Sequence, residues 1–141
     1  MLNKSDPPRI IFGQPSHGWM TITVDEFRFD ASDVPCDSLY GLCKALNSIL
    51  SGSIDASVDW SLEPNYLVWK FTNNTSNCTL IITDHNDTLL ASLDAPTDKL
   101  IRSIIEAIIT IKPFFDLDQD QINWSWDYPS DAILNLKNRL A

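Results

Sequence analysis

The chain has few of the residues on which most catalytic and metal sites depend. Its 141 residues include two histidines, four glycines and three cysteines. The glycines, at positions 13, 18, 41 and 52, lack the spacing of a phosphate-binding loop or a dinucleotide fingerprint. The cysteines, at positions 36, 43 and 78, do not form the close pairs of a zinc site. The sequence therefore predicts neither a metal nor a cofactor.

The two histidines do not stand in a nucleophile motif. His17 precedes Gly18 and Trp19, and His85 follows Asp84 in a polar segment, so both are expected to be exposed or capping residues. Nothing resembles a Ser-His or Cys-His family signature. We predict that the chain is not an enzyme. A small hydrolase that uses Asp or Glu is a third alternative, although no spacing singles out a carboxylate pair.

Long apolar runs are missing as well. No stretch of 18 uncharged apolar residues occurs, and residues 1–9 lack the apolar core of a signal peptide. Cys36 and Cys43 would lie about 10 Å apart along a helix, too far for a disulfide. These features predict a soluble, cytoplasmic protein with no membrane partner.

Basic residues are scarce relative to acids. Ten Lys and Arg face 19 Asp and Glu, which gives a formal net charge of −9. Such a chain repels phosphate backbones and anionic lipids, so nucleic acid is not expected as a partner. The acidity can serve solubility alone, or it can form a surface that meets a basic protein.

The hydrophobic content, 44%, suits a packed core, and no linker or repeat divides the chain. We predict one domain over residues 1–141, with residues 1–8 frayed. Alternating apolar residues predict strands at 19–24, 56–62, 66–71, 78–83 and 88–93, and Arg9–Phe12 could form an edge strand. Phe27 and Phe29 continue the strand pattern after a corner at Asp25-Glu26.

Apolar stripes at helical spacing predict three helices, over Asp37–Leu50, Thr97–Ile111 and Ser130–Leu140. Ser32 or Asp33 is the expected cap of the first helix, and Gly52 its stop. The short connections between strands require antiparallel neighbours. The predicted fold is α+β: an antiparallel sheet of about five to six strands, in β-β-α-β-β-β-β-α-α order, with helices packed on one face.

The tryptophans and acids supply the candidate binding residues. Trp60 and Trp69 are expected in the core, whereas Trp19 lies on a polar strand face, and at least one ring of Trp124-Ser125-Trp126 should be exposed. Aromatic anchors beside loop acids suit a docking surface. The predicted partner-binding residues are Asp84, Asp87, Asp116, Asp118, Asp120, Trp124 and Trp126.

Three of these acids also have a second interpretation. Asp116, Asp118 and Asp120, with Asp127 at the twelfth position, follow the spacing of an EF-hand calcium loop. Gln121, however, occupies the position where that loop needs glycine. We therefore favour a solvated acidic loop over a calcium site.

The order of several short motifs resembles a known group of proteins. These motifs are His17-Gly18-Trp19, the helix that begins near Asp37, Trp60 with Glu63-Pro64 and Trp69, and Trp126 with Tyr128-Pro129 before a terminal helix. Over residues 17–140 the chain resembles small uncharacterised bacterial proteins grouped with the immunity proteins of polymorphic toxin systems. The resemblance implies a cytosolic antidote that binds a cognate toxin, and it supplies no active-site residues.

Together these observations favour a non-enzymatic protein-binding domain, an immunity-type protein that neutralises a basic toxin. The main alternative is an interaction or scaffold domain that forms a homo-oligomer through its sheet edge.

Overall fold

A computed structural model describes residues 7–141 and gives one open antiparallel sheet with helices packed on it. The segment predicted to be frayed, residues 1–8, lies mostly outside this range. The strands are β1 (Ile10–Phe12), β2 (Trp19–Val24), β3 (Phe27–Ser32), β4 (Asp55–Ser61), β5 (Tyr66–Asn74), β6 (Asn77–Asp84) and β7 (Leu89–Pro96). The helices are α1 (Ser38–Leu50), α2 (Thr97–Thr110) and α3 (Ser130–Leu140), with two short 3-10 turns at Lys112–Phe115 and Gln119–Gln121.

The strands lie in sequence order, and every neighbouring pair is antiparallel. This confirms the α+β class, but the sheet has seven strands rather than five to six. The extra strand is β3, because the chain reverses at Asp25, whose φ is 53°, and Phe27 pairs with Val24. The element order before α1 is therefore β-β-β, not β-β.

One face of the sheet carries the core. Alternate residues of the strands are buried there, among them Ile22, Trp60, Trp69 and Leu80, each fully enclosed. The apolar stripes of α1 and α2 complete the same cluster. The predicted inward positions of Trp60 and Trp69 are confirmed. In β2, β5 and β6, buried residues alternate with more exposed ones, as the period of two predicts.

The sheet is joined at its middle by one residue pair. Only Ser32 and Ser61 are in register between β3 and β4, whereas β4 pairs with β5 along seven positions. The two meanders, β1–β3 and β4–β7, therefore diverge from this point. Phe29 bridges the gap beside the junction, because its ring centroid lies 6.2 Å from those of both Trp60 and Trp69.

Local signals set the helix ends. Asp37, and not the predicted Ser32 or Asp33, caps α1, since its carboxylate accepts the Tyr40 amide at 3.2 Å. The Ser32 hydroxyl donates to the Glu63 carboxylate instead, and the Asp33 carboxylate accepts from Ser125. Gly52, with φ of 99°, follows the end of α1 as expected. Across residues 7–141, no helix has the length and apolar character that crossing a bilayer requires.

We expect Phe29→Ala to lower the free energy of unfolding by about 2 kcal/mol, because it removes a half-buried ring from between two tryptophans. Urea denaturation measures the change. The control is Ile54→Ala at an exposed apolar site, which should stay within about 0.5 kcal/mol of the parent chain. Equal effects of the two substitutions would contradict the bridging role of Phe29.

Candidate functional site

A buried carboxylate fixes the segment that leads to the candidate binding surface. Asp33 is 7% exposed and follows β3 directly. Its Oδ2 accepts hydrogen bonds from the Ser125 amide at 2.8 Å and the Ser125 hydroxyl at 2.7 Å. Its carbonyl oxygen accepts the indole N–H of Trp126 at 2.5 Å. Residues 122–126, which we call the tether, are thus held against the end of the first meander.

A second set of bonds holds the tether at the start of β2. The amide of Gly18 donates to the carbonyl of Asn123 at 2.9 Å, and the amide of His17 donates to Asn123 Oδ1 at 3.1 Å. The Asp33 amide donates to the carbonyl of Gly18 at 2.9 Å, which links the two sets. Because backbone groups on both sides are paired, the tether is a fixed part of the fold.

The two predicted tryptophan anchors, Trp124 and Trp126, belong to the tether. Trp124 is 5% exposed and belongs to the core, so its ring is not offered to a partner. Trp126 is half-buried, with its N–H used by Asp33 and part of its ring at the surface. Trp19, predicted on a polar face, is exposed beside the tether.

Two exposed apolar side chains directly follow residues that bond the tether: Trp19 follows Gly18, and Val34 follows Asp33. With the partly exposed Trp126 of the tether itself, they form what we call the tether face. Tyr40 is also exposed, on the first turn of α1. Burial, and the nearby charge of Asp127, raise the pKa of Asp37 just before α1.

The segment 116–131, the acidic connection, carries five aspartates and no basic residue: Asp116, Asp118, Asp120, Asp127 and Asp131. Asp118 and Asp120 are exposed, as expected. Asp116 pairs with Lys112 at 2.9 Å. Within residues 7–141, no group of three or more His, Cys, Asp or Glu side chains is placed to hold a metal ion.

The other two predicted acids lie in the turn between β6 and β7. Asp84 Oδ1 accepts the amides of Asn86 at 2.8 Å and Thr88 at 3.0 Å, so this carboxylate holds its own turn. Asp87, with φ of 63°, is exposed in the same turn. Among the described residues, no ion pair or hydrogen bond joins these two acids to the acidic connection.

The groups considered for nucleophilic chemistry are dispersed. His17 is exposed, with Nδ1 3.1 Å from the Ser16 hydroxyl, and His85 is exposed beside the Tyr66 ring. Burial raises the pKa of Cys43 to about 12 and that of Cys78 to about 11, so both thiols stay protonated near neutral pH.

A cavity lies away from the tether, between the two meanders. This edge cleft has a volume of about 710 Å³. Its lining includes Val24 and Phe27 of the first meander and Ile82, Leu90 and Leu93 of the second. Sequence reasoning missed the cleft, because its walls come from strands that are far apart in the chain. Only the apolar Leu89-Leu90 pair at a strand start could have indicated it.

No family model, curated protein or solved structure matches this chain. The resemblance to immunity proteins therefore stays a prediction. Two surfaces bear on function: the tether face with its acidic connection, and the edge cleft.

Gly18→Ala should lower the free energy of unfolding by about 2–3 kcal/mol, because Gly18 has φ of 84° and a Cβ there would lie 2.9 Å from Asp33 Oδ1. Gly52→Ala is the matched control: its φ is 99°, but a Cβ would meet no atom within 4 Å. We expect roughly 1 kcal/mol there from backbone strain alone. Indistinguishable urea midpoints would argue against a rigid contact at Asp33.

The Asp84 carboxyl should titrate below its ordinary pKa of 3.8, because the Thr88 and Asn86 amides stabilise its charged form. A lowered folded-state pKa means that the turn is stabilised above the unfolded pKa and loses this support as pH falls through the folded pKa. Carboxyl-detected NMR titration measures the shift. In Asp84→Ala, the Asn86 and Thr88 amides should exchange faster with solvent; unchanged exchange would contradict the assignment.

Proposed function

We propose that the chain is a non-enzymatic protein-binding domain of the immunity type, which acts in the cytoplasm and neutralises a cognate basic bacterial toxin domain. The observation that carries the proposal is the acidic connection beside the tether face. Five aspartates without a basic residue flank, in the sequence, the tether and its partly exposed Trp126, and the tether backbone is held by paired hydrogen bonds.

Charge arithmetic supports a basic partner. With 19 acids and 10 bases, at least nine carboxylates have no basic counterpart within the chain. The ion pairs at Lys70–Asp55 (4.0 Å) and Lys112–Asp116 (2.9 Å) are at the surface and solvated. The excess negative charge attracts a cationic domain over distance and accelerates its encounter.

The tether supports tight capture as well as fast encounter. A loop that is ordered before binding loses little conformational entropy when the partner arrives. Trp19 and Trp126 provide rings of the type that dominates interface energetics. Aspartates flank Trp126 in the sequence, and protein interfaces commonly combine aromatic residues with a polar surround.

Reversing the charges of Asp118 and Asp120 to Lys should slow association with the cationic domain encoded by the adjacent gene by roughly tenfold at low salt. The effect should shrink at high ionic strength, because salt screens exposed charges. Stopped-flow or surface-plasmon-resonance association rates, measured over a salt series, test this.

The control is the double reversal Asp59→Lys and Glu106→Lys, which changes the net charge equally at exposed positions on β4 and α2. It should slow association less than the Asp118 and Asp120 variant. Equal slowing by both variants would show that only net charge matters. Absence of binding to the adjacent-gene product would contradict the proposed function.

A further inference from the structure

Among the strands of residues 7–141, β7 is an open edge of the sheet. It is last in the strand order and eight residues long. Residues 89–95 include no Lys, Arg or Pro, the residues that usually protect edges, and Asp94 is their one charged side chain. A bulge interrupts the pairing only near Leu90, so Ala91–Pro96 stay in regular register with β6.

The other edge of the sheet differs. Strand β1 is only three residues long, and α2 contacts both β1 and β7. An edge as short as β1 offers few backbone groups for pairing. Of the two edges, β7 is the one suited to accept another strand.

The edge cleft lies on the side of β7 where alternate side chains of an added strand would point. Leu90, Ala91 and Leu93 of β7 line it, and Val24 and Phe27 form the opposing wall. Leu90 is 39% exposed and lines the cleft beside both apolar and charged residues. Backbone pairing along an edge gives affinity, and pockets for alternate side chains give specificity.

The charges around β7 favour a cationic strand as the binding partner of this edge. Asp25 and Glu26 line the cleft, Asp94 lies on the strand, and Asp84 and Asp87 lie in the preceding turn; among the residues that the structure describes, Arg9 is the one basic residue of the lining. A second copy would bring its own net charge of −9 to this edge, so like charges oppose pairing of β7 with itself.

We propose that β7 and the edge cleft bind one extended strand of a cationic protein, with apolar side chains in the cleft and Lys or Arg side chains toward the surrounding acids. The inference rests on the proposed function in taking the toxin domain as the source of that strand. It adds a second contact surface, distinct from the tether face.

The test uses the full chain and a synthetic peptide, acetyl-Lys-Val-Lys-Val-Lys-Val-Lys-amide. In 15N NMR titration, the peptide should shift the amides of Ala91–Asp94 and protect them from exchange. The same peptide with N-methylated valines lacks the backbone donors and should bind at least roughly tenfold more weakly. A Glu-Val peptide of equal length should not bind.

Leu90→Lys places a cation in the cleft and should weaken the Lys-Val peptide roughly tenfold. Leu134→Lys, at a leucine of α3 that is 56% exposed and outside the cleft, is the matched control and should leave the affinity unchanged. Circular dichroism of both variants verifies folding.

Three outcomes would overturn the inference: no shift with millimolar peptide, shifts confined to the tether face, or a dimer in sedimentation whose β7 amides are already protected. The peptide assay contains no toxin, so its result is separate from the test of the proposed function. If the peptide binds at β7 but the adjacent-gene product does not bind the chain, only the proposed function is refuted. If the toxin domain binds and Leu90→Lys leaves its affinity unchanged, only the strand site is refuted.

Discussion

The position of the proposed binding surface depends on the buried carboxylate of Asp33. Burying a charge is costly unless hydrogen bonds replace its hydration. Here the Ser125 amide and hydroxyl supply them, and the main chain of Asp33 pairs with Gly18 and with the Trp126 indole. One residue therefore connects β2, β3 and the tether, and an alanine in its place would leave the Ser125 donors without this acceptor.

Polar joints also set the shape of the sheet next to Asp33. Ser32 donates to the carboxylate of Glu63, and Ser38 donates to the carbonyl of Asp59 at 2.6 Å, close to the single pair that joins the two meanders. The ladder between β3 and β4 has this one pair in register. The edge cleft is lined by Val24 and Phe27 of one meander and by Leu90 and Leu93 of the other.

The sequence allowed most elements to be predicted, because period-2 and period-3.6 patterns are local. The third strand was not counted as a separate element, although Phe27 and Phe29 continue the strand pattern, because the corner at Asp25-Glu26 lacks the Asn-Gly or Asp-Gly that marks a two-residue hairpin turn. The burial of Trp124 and the bonds of Asp33 could not be found locally, since Asp33 and Ser125 are 92 residues apart. Of the predicted site acids, Asp118 and Asp120 are exposed on the acidic connection, whereas Asp84 is occupied with its own turn.

The same negative charge opposes pairing of the β7 edge with a second copy of the chain. An unprotected edge normally invites pairing between copies, and proteins usually prevent this with lysine, proline or a covering element. In this chain β7 lacks lysine and has proline only at its end, but each copy carries a net charge of −9. Repulsion between copies and attraction toward a cation act through the same carboxylates, so the feature that disfavours self-association also favours a basic strand.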